Sequence, residues 1–87
     1  MSYYIKKVVI NAIQWTGNKE EIKQFFPKHF ETEEMYFRNN ELFYQYLNYE
    51  DSRCVEKIEL NNYIWYDLRI EFLNEEYFNR RYKLYLD

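Results

Sequence analysis

The sequence predicts an α+β fold: a small antiparallel sheet of about five or six strands, one short helix after the first strand and one C-terminal helix. Three observations lead there. Short segments rich in β-branched and aromatic residues recur between Thr-Gly-Asn, Asn-Asn and Glu-Asp-Ser breaks. Two other segments open on an Asn followed by acids and then apolar residues at helical spacing. The chain has 87 residues, enough for one small core and too few for two, so residues 1–87 read as a single domain.

Residues 5–15 form the first expected strand, with Val9, Asn11, Ile13 and Trp15 on one face and Val8, Ile10, Ala12 and Gln14 on the other. Both faces are largely apolar, which suggests a central strand covered on two sides, or one that bends between two sheets. Thr16-Gly17-Asn18 breaks it. Asn18 is a good N-cap, Glu21 stands three residues on as in a capping box, and Ile22, Phe25 and Phe26 make a short apolar stripe. Pro27 ends this helix at or before Phe26. Residues 27–35 read as a connection.

Met35-Tyr36-Phe37-Arg38 and Leu42-Phe43-Tyr44-Gln45-Tyr46-Leu47 flank Asn39-Asn40, a hairpin signal because Asn tolerates positive φ. Leu42, Tyr44, Tyr46 and Asn48 share one side and Phe43, Gln45, Leu47 and Tyr49 the other; the pattern does not choose the buried one. After Glu50-Asp51-Ser52 a further strand sets Cys54, Glu56, Ile58 and Leu60 against Val55, Lys57 and Glu59. Asn61-Asn62 is another turn, Tyr63 to Leu68 a strand on composition, and Arg69 to Leu73 a short strand with Ile70 and Phe72 inward. Asn74-Glu75-Glu76 opens the last helix, on which Phe78 and Tyr82 share a face and Arg80, Arg81 and Lys83 complement the C-terminal dipole.

Aromatic residues make up 23% of the chain, with 11 Tyr, 7 Phe and 2 Trp, so rings rather than aliphatic side chains supply much of the core. A tyrosine needs a partner for its hydroxyl, which favours positions at the core margin with the ring packed and the oxygen wet. The net charge of −3 hides a division along the chain. Residues 1–30 carry +3, residues 31–76 carry −8 and residues 77–87 carry +2. An acidic middle block disfavours direct nucleic-acid binding and favours a basic protein surface.

No Ser-His-Asp or Cys-His signature is recognisable, a single glycine cannot build a phosphate loop, and a single cysteine, Cys54, can neither form an internal disulfide nor share zinc with a second thiol. His29 is the only histidine, and it reads as a surface residue rather than a metal ligand. The acid pairs Glu33-Glu34, Glu50-Asp51 and Glu75-Glu76 read as solvated surface rather than a hydrolytic dyad. We therefore expect no enzyme activity, no cofactor and no metal. The N-terminus lacks the apolar core of a signal peptide and no apolar run approaches a membrane span, so a cytoplasmic location without membrane contact is expected.

Val9-Ile10-Asn11-Ala12-Ile13-Gln14-Trp15-Thr16-Gly17-Asn18, followed by Glu21-Ile22 and Phe25, resembles the opening of a family of short phage and prophage proteins. In that family a strand ending in Ala-x-Gln-Trp-x-Gly leads into a helix, and a Pro-Gly-Asp-Tyr-Gly turn and strand follow later. Here Leu60-Asn61-Asn62-Tyr63-Ile64 stands at the later place with Asn61-Asn62 in place of Gly-Asp, and Phe78 with Tyr82 corresponds to a terminal aromatic pair. The resemblance implies a small α+β protein encoded by a phage or mobile element and acting in the host cytoplasm. Short proteins in that genomic company commonly bind and block host factors, restriction and CRISPR effectors among them.

The leading expectation is a non-enzymatic phage accessory protein that binds and inhibits a host protein, of the anti-CRISPR or anti-restriction type. Its partner-binding residues would be Glu33, Glu34, Tyr44, Tyr46, Glu50, Asp51, Glu56 and Glu59, the acids standing in for phosphates and the rings acting as anchors. One alternative is a binder that sequesters a nucleotide or other small signalling ligand on the basic ends, Lys6, Lys7, Arg80, Arg81 and Lys83. Another is a structural phage protein that self-associates into a homo-oligomer through exposed aromatics.

Overall fold

The computed structural model describes residues 10–82. The elements in order are β1 (Ala12–Gln14), α1 (Lys19–Phe25), α2 (Pro27–Glu31), β2 (Met35–Arg38), β3 (Glu41–Leu47), β4 (Arg53–Ile58), β5 (Tyr63–Asp67), β6 (Arg69–Leu73) and α3 (Glu75–Arg81). Residues 5–9 of the expected first strand, with Lys6 and Lys7, lie outside the described residues, as does Lys83.

The fold is α+β as expected, but the strands divide into two three-stranded antiparallel sheets, ordered β1-β5-β6 and β2-β3-β4, rather than one sheet of five or six. Side-chain alternation reports which residues share a face and carries no information about which strand lies alongside. Here α1 and α2 separate β1 from β2, so β1 finds its partner later in the chain. The Trp15 amide donates to the Asn62 carbonyl at 2.9 Å and the Asn61 amide donates to the Trp15 carbonyl at 2.6 Å. These two bonds tie the turn after β4 to the end of β1 and lead β5 into register with it, Ile13 opposite Ile64.

Of the strand expected to be covered on both faces, the described part is β1, at an edge of its sheet with Ile13 buried and Ala12 and Gln14 half-buried; β5 is the centre of that sheet and is covered on both faces. Ile64, fully buried, faces the main core, while Trp65 is buried on the opposite face beneath α3. There Phe78 stacks on Tyr63 at 4.1 Å between centroids, and both Phe78 and Tyr82 lie within 6 Å of Trp65, at 5.8 and 5.7 Å. The main core lies between the sheets and α1: Ile13, Trp15, Ile22, Phe26, Met35, Leu42, Tyr44, Ile58, Ile64 and Ile70.

Local signals hold where they rest on caps and turns. Asn18 accepts from the Glu21 amide at 3.2 Å and Asn74 from the Tyr77 amide at 2.9 Å, each satisfying a donor left open in a first helical turn. The α1 helix stops at Phe25 ahead of Pro27. The expected connection over residues 27–35 instead begins with α2, in which Pro27 occupies the first helical position. Its fixed φ and missing N–H suit that position and no later one, so the residue that ends one helix starts the next. Asn39 and Asn40 take φ of 52° and 63°, the positive pair that a two-residue hairpin turn requires. Asn39→Val therefore costs about 1–2 kcal/mol of unfolding free energy, whereas Asn39→Gly stays within about 0.5 kcal/mol of the parent, read from urea unfolding midpoints.

Candidate functional site

The pleat of the second sheet decides which side chains are available. Leu42 and Tyr44 of β3 are buried and Tyr46 is half-buried, so this row faces the core; Phe43, Gln45 and Leu47 face outward. Register then distributes the charges. Tyr44 stands opposite Glu56, and Tyr46 opposite Cys54, on the inner row, while Phe43 stands opposite Lys57 and Leu47 opposite Arg53 on the outer one.

At the open end of the inner row the structure gathers Glu34, Tyr44, Tyr46 and Glu56 around Arg69, the first residue of β6. The Tyr44 and Tyr46 rings stack at 5.2 Å. Tyr44 is 6% exposed, and burial is the main reason its hydroxyl titrates above the ordinary tyrosine range; the Ile70 amide opposes this and the Glu34 carboxylate adds to it. Tyr46 also titrates high, first because of the Glu56 carboxylate. Arg69 is held by Glu71 at 2.9 Å and its charge lowers both tyrosines, which places the β5–β6 turn beside this row.

Two turns project at this end. Between β3 and β4, the Asn48 carboxamide oxygen accepts from the amides of Glu50 at 2.9 Å and Ser52 at 3.0 Å, and the Asn48 amide donates to the Ser52 carbonyl at 3.0 Å. The side chain thus closes the turn from inside, and Asp51 completes it at φ 59°. Tyr49, 94% exposed, stands out from this closed turn beside Glu50 and Asp51. Between β5 and β6, Leu68 is 93% exposed at φ 61°, flanked by Asp67 and Arg69. A bulky non-glycine residue at positive φ costs about 1–2 kcal/mol, and full exposure of a leucine returns nothing to folding.

Of the residues singled out from sequence, Glu34, Tyr44, Tyr46 and Glu56 come together, and Glu50 and Asp51 sit on the turn that extends their hairpin. Tyr44 is enclosed and supports the site from within the core rather than meeting a partner. Glu59 lies elsewhere, paired with Lys57 at 3.6 Å, and Glu33 lines a groove beside β2. The sequence reading did not single out Leu68, Tyr49 or Arg69. A leucine preceded by Asp in an otherwise continuous strand pattern gives no turn signal, so positive φ there is unreadable. Among the described residues no group of three or more His, Cys, Asp or Glu side chains is placed to hold a metal ion. None of their helices is long and apolar enough to cross a membrane.

Two outcomes follow. Because Tyr44 holds its proton more tightly in the folded state, its contribution is fully present below about pH 10, the unfolded tyrosine value, and is lost as pH rises through the folded one. Urea unfolding midpoints of the parent fall as pH rises above about 10, and Tyr44→Phe flattens that fall. Leu68→Gly raises stability by up to about 1 kcal/mol in the same assay by releasing the strained backbone.

Comparison with known proteins adds no relative: no family model, no curated protein and no solved structure matches this chain.

Proposed function

We propose that this chain is a non-enzymatic binding protein that docks its acidic, aromatic hairpin end onto a basic surface of a partner protein. The observation that carries the reading is the pair of projecting turns, with Tyr49 and Leu68 almost fully exposed among Glu50, Asp51 and Asp67. Large apolar side chains held outward on closed turns stabilise no fold. They do supply the anchors at which binding energy concentrates, while surrounding carboxylates steer a basic partner into register.

The resemblance of residues 9–18 to short phage proteins supports a finer reading in which the partner is a host nucleic-acid-handling defence complex. In that setting the carboxylates occupy positions that phosphates take in the complex's own substrate, and docking blocks the groove. The non-enzymatic part rests on the sequence, in which no Ser-His-Asp or Cys-His signature is recognisable and the acid pairs read as solvated surface. His29 sits among rings, 5.7 Å from Phe26 and 5.2 Å from Tyr66, and Cys54 lies on β4.

The test is capture of partners from host lysate on the immobilised parent and on the Glu50→Lys, Asp51→Lys, Asp67→Lys variant, followed by mass spectrometry. A specific host protein should be retained by the parent, released by raised salt, and weakened at least about tenfold by the variant. Leu68→Asp should weaken capture similarly without a change in salt dependence. Retention that is indifferent to both changes would falsify the reading.

A further inference from the structure

Each sheet has two outer strands, and β4, with 6 residues, is the longest of the four. Its pairing with β3 fixes which of its main-chain groups point away. The Asn48 amide donates to the Ser52 carbonyl at 3.0 Å, and antiparallel alternation from that bonded pair makes Tyr46–Cys54, Tyr44–Glu56 and Leu42–Ile58 the next ones. The Gln45 amide agrees with this phase, since it turns to the other neighbour and donates to the Glu34 carbonyl at 2.8 Å. The amides and carbonyls of Arg53, Val55 and Lys57 therefore face the open edge. All three residues are exposed, and among the described residues no other backbone bond reaches them. On β2, by contrast, Met35 is completely enclosed. A row of unpaired donors and acceptors is a template for another strand.

The charges along this edge suit a second copy in one register. Two copies related by a two-fold axis pair antiparallel, and both must offer Arg53, Val55 or Lys57 to the new ladder, so the axis passes through a residue of β4. An axis at Arg53 or at Lys57 sets that cation against itself. At Val55 it sets Arg53 against Lys57, and at Glu56 it sets two carboxylates face to face. Like charges directly opposite are destabilising. Ile58 is 1% exposed and ends the strand, so an axis there pairs little of it. An axis at Cys54 brings no like charges together: Arg53 comes opposite Val55, Ser52 opposite Glu56 and Asp51 opposite Lys57. It also covers Val55, which is 46% exposed. Cys54, half-buried, then meets its own equivalent in a non-hydrogen-bonded pair, where Cα atoms approach to about 4.5 Å.

We propose that β4 pairs with β4 of a second copy in this register, so that two β2-β3-β4 sheets join into one continuous sheet across a two-fold axis at Cys54. About four main-chain hydrogen bonds between Arg53 and Val55 of the two copies form its centre, with Asp51 and Lys57 in contact at each end. So short an interface makes a reversible dimer that populates as concentration rises. The affinity comes from the strand edge, and the thiol only reports the register. The dimer requires neither Tyr49 nor Leu68 and stands independently of the docking reading.

Sedimentation equilibrium of the full chain under reductant tests this across a concentration series. The expected result is a monomer that gives way to a dimer and to nothing larger. Val55→Pro deletes an edge-facing N–H while sparing the ladder to β3, and Val55→Lys sets a second cation against Arg53; each should raise the dissociation constant at least about tenfold. Val55→Lys alone decides if circular dichroism shows that the proline variant loses its fold. Register is read with diamide, which takes up the two hydrogens released as two Cys54 thiols form one disulfide. Diamide should link the parent into a covalent dimer. The Cys54→Ser, Glu56→Cys variant, whose thiols lie about 13 Å apart along the paired strands, should link at least about tenfold more slowly. A monomer at every concentration, which leaves the edge to a foreign strand or to none, overturns the proposal. So do open-ended oligomers, a dimer indifferent to Val55→Lys, or equal linking in the Glu56→Cys variant.

Discussion

The structure depends on Trp15 and the two backbone bonds it exchanges with the Asn61-Asn62 turn. Trp15 is 2% exposed, its ring lies 5.5 Å from Phe37 of β2, and its amide and carbonyl meet Asn62 and Asn61 at the entrance to β5. One residue therefore joins the first sheet to the second by packing and to its own central strand by hydrogen bonds. A buried tryptophan removes about 150–250 Å² from water, roughly 4–6 kcal/mol at about 25 cal/mol/Å², an upper bound comparable with the whole stability of a small domain. Gly17 lies immediately beyond it at φ 96°, a conformation that residues with a Cβ rarely adopt, and this lets the chain turn from β1 towards α1.

From this junction the two sheets present surfaces of different character. Strand pleating sorts charges that are mixed in sequence: along β2, β3 and β4 the outward row holds Arg38, Arg53 and Lys57, while Glu34 and Glu56 flank the inward row near Tyr44 and Tyr46. Several acids of the middle block have a cation beside them: Glu41 and Glu59 share Lys57, Glu71 faces Arg69 and Glu76 faces Arg80. These are exposed pairs that contribute little to stability.

The projecting hairpin end rests on a stiff support: the turn bearing Tyr49 is closed by four hydrogen bonds of Asn48, two accepted by its side-chain oxygen and two made through its backbone. Ordering costs that oppose binding are smaller when the contacting groups are already fixed. Cys54 lies half-buried on β4, and the ring of His29 packs against Phe26 and Tyr66.

The sequence by itself determined the local elements: the α+β class, the capped helices after Asn18 and Asn74, the Asn39-Asn40 hairpin, the inward Ile70 and Phe72, and the shared face of Phe78 and Tyr82. Each is a short-range matter of capping, turn conformation or periodicity, complete within a few residues. Tertiary structure decided which strands pair, and hence that there are two sheets rather than one, with β5 at the centre of its sheet. It also decided that Tyr44 is enclosed while Tyr49 and Leu68 stand out. Those outcomes depend on contacts between residues distant in the chain, and neither alternation nor a running sum of charge records which residues will be neighbours.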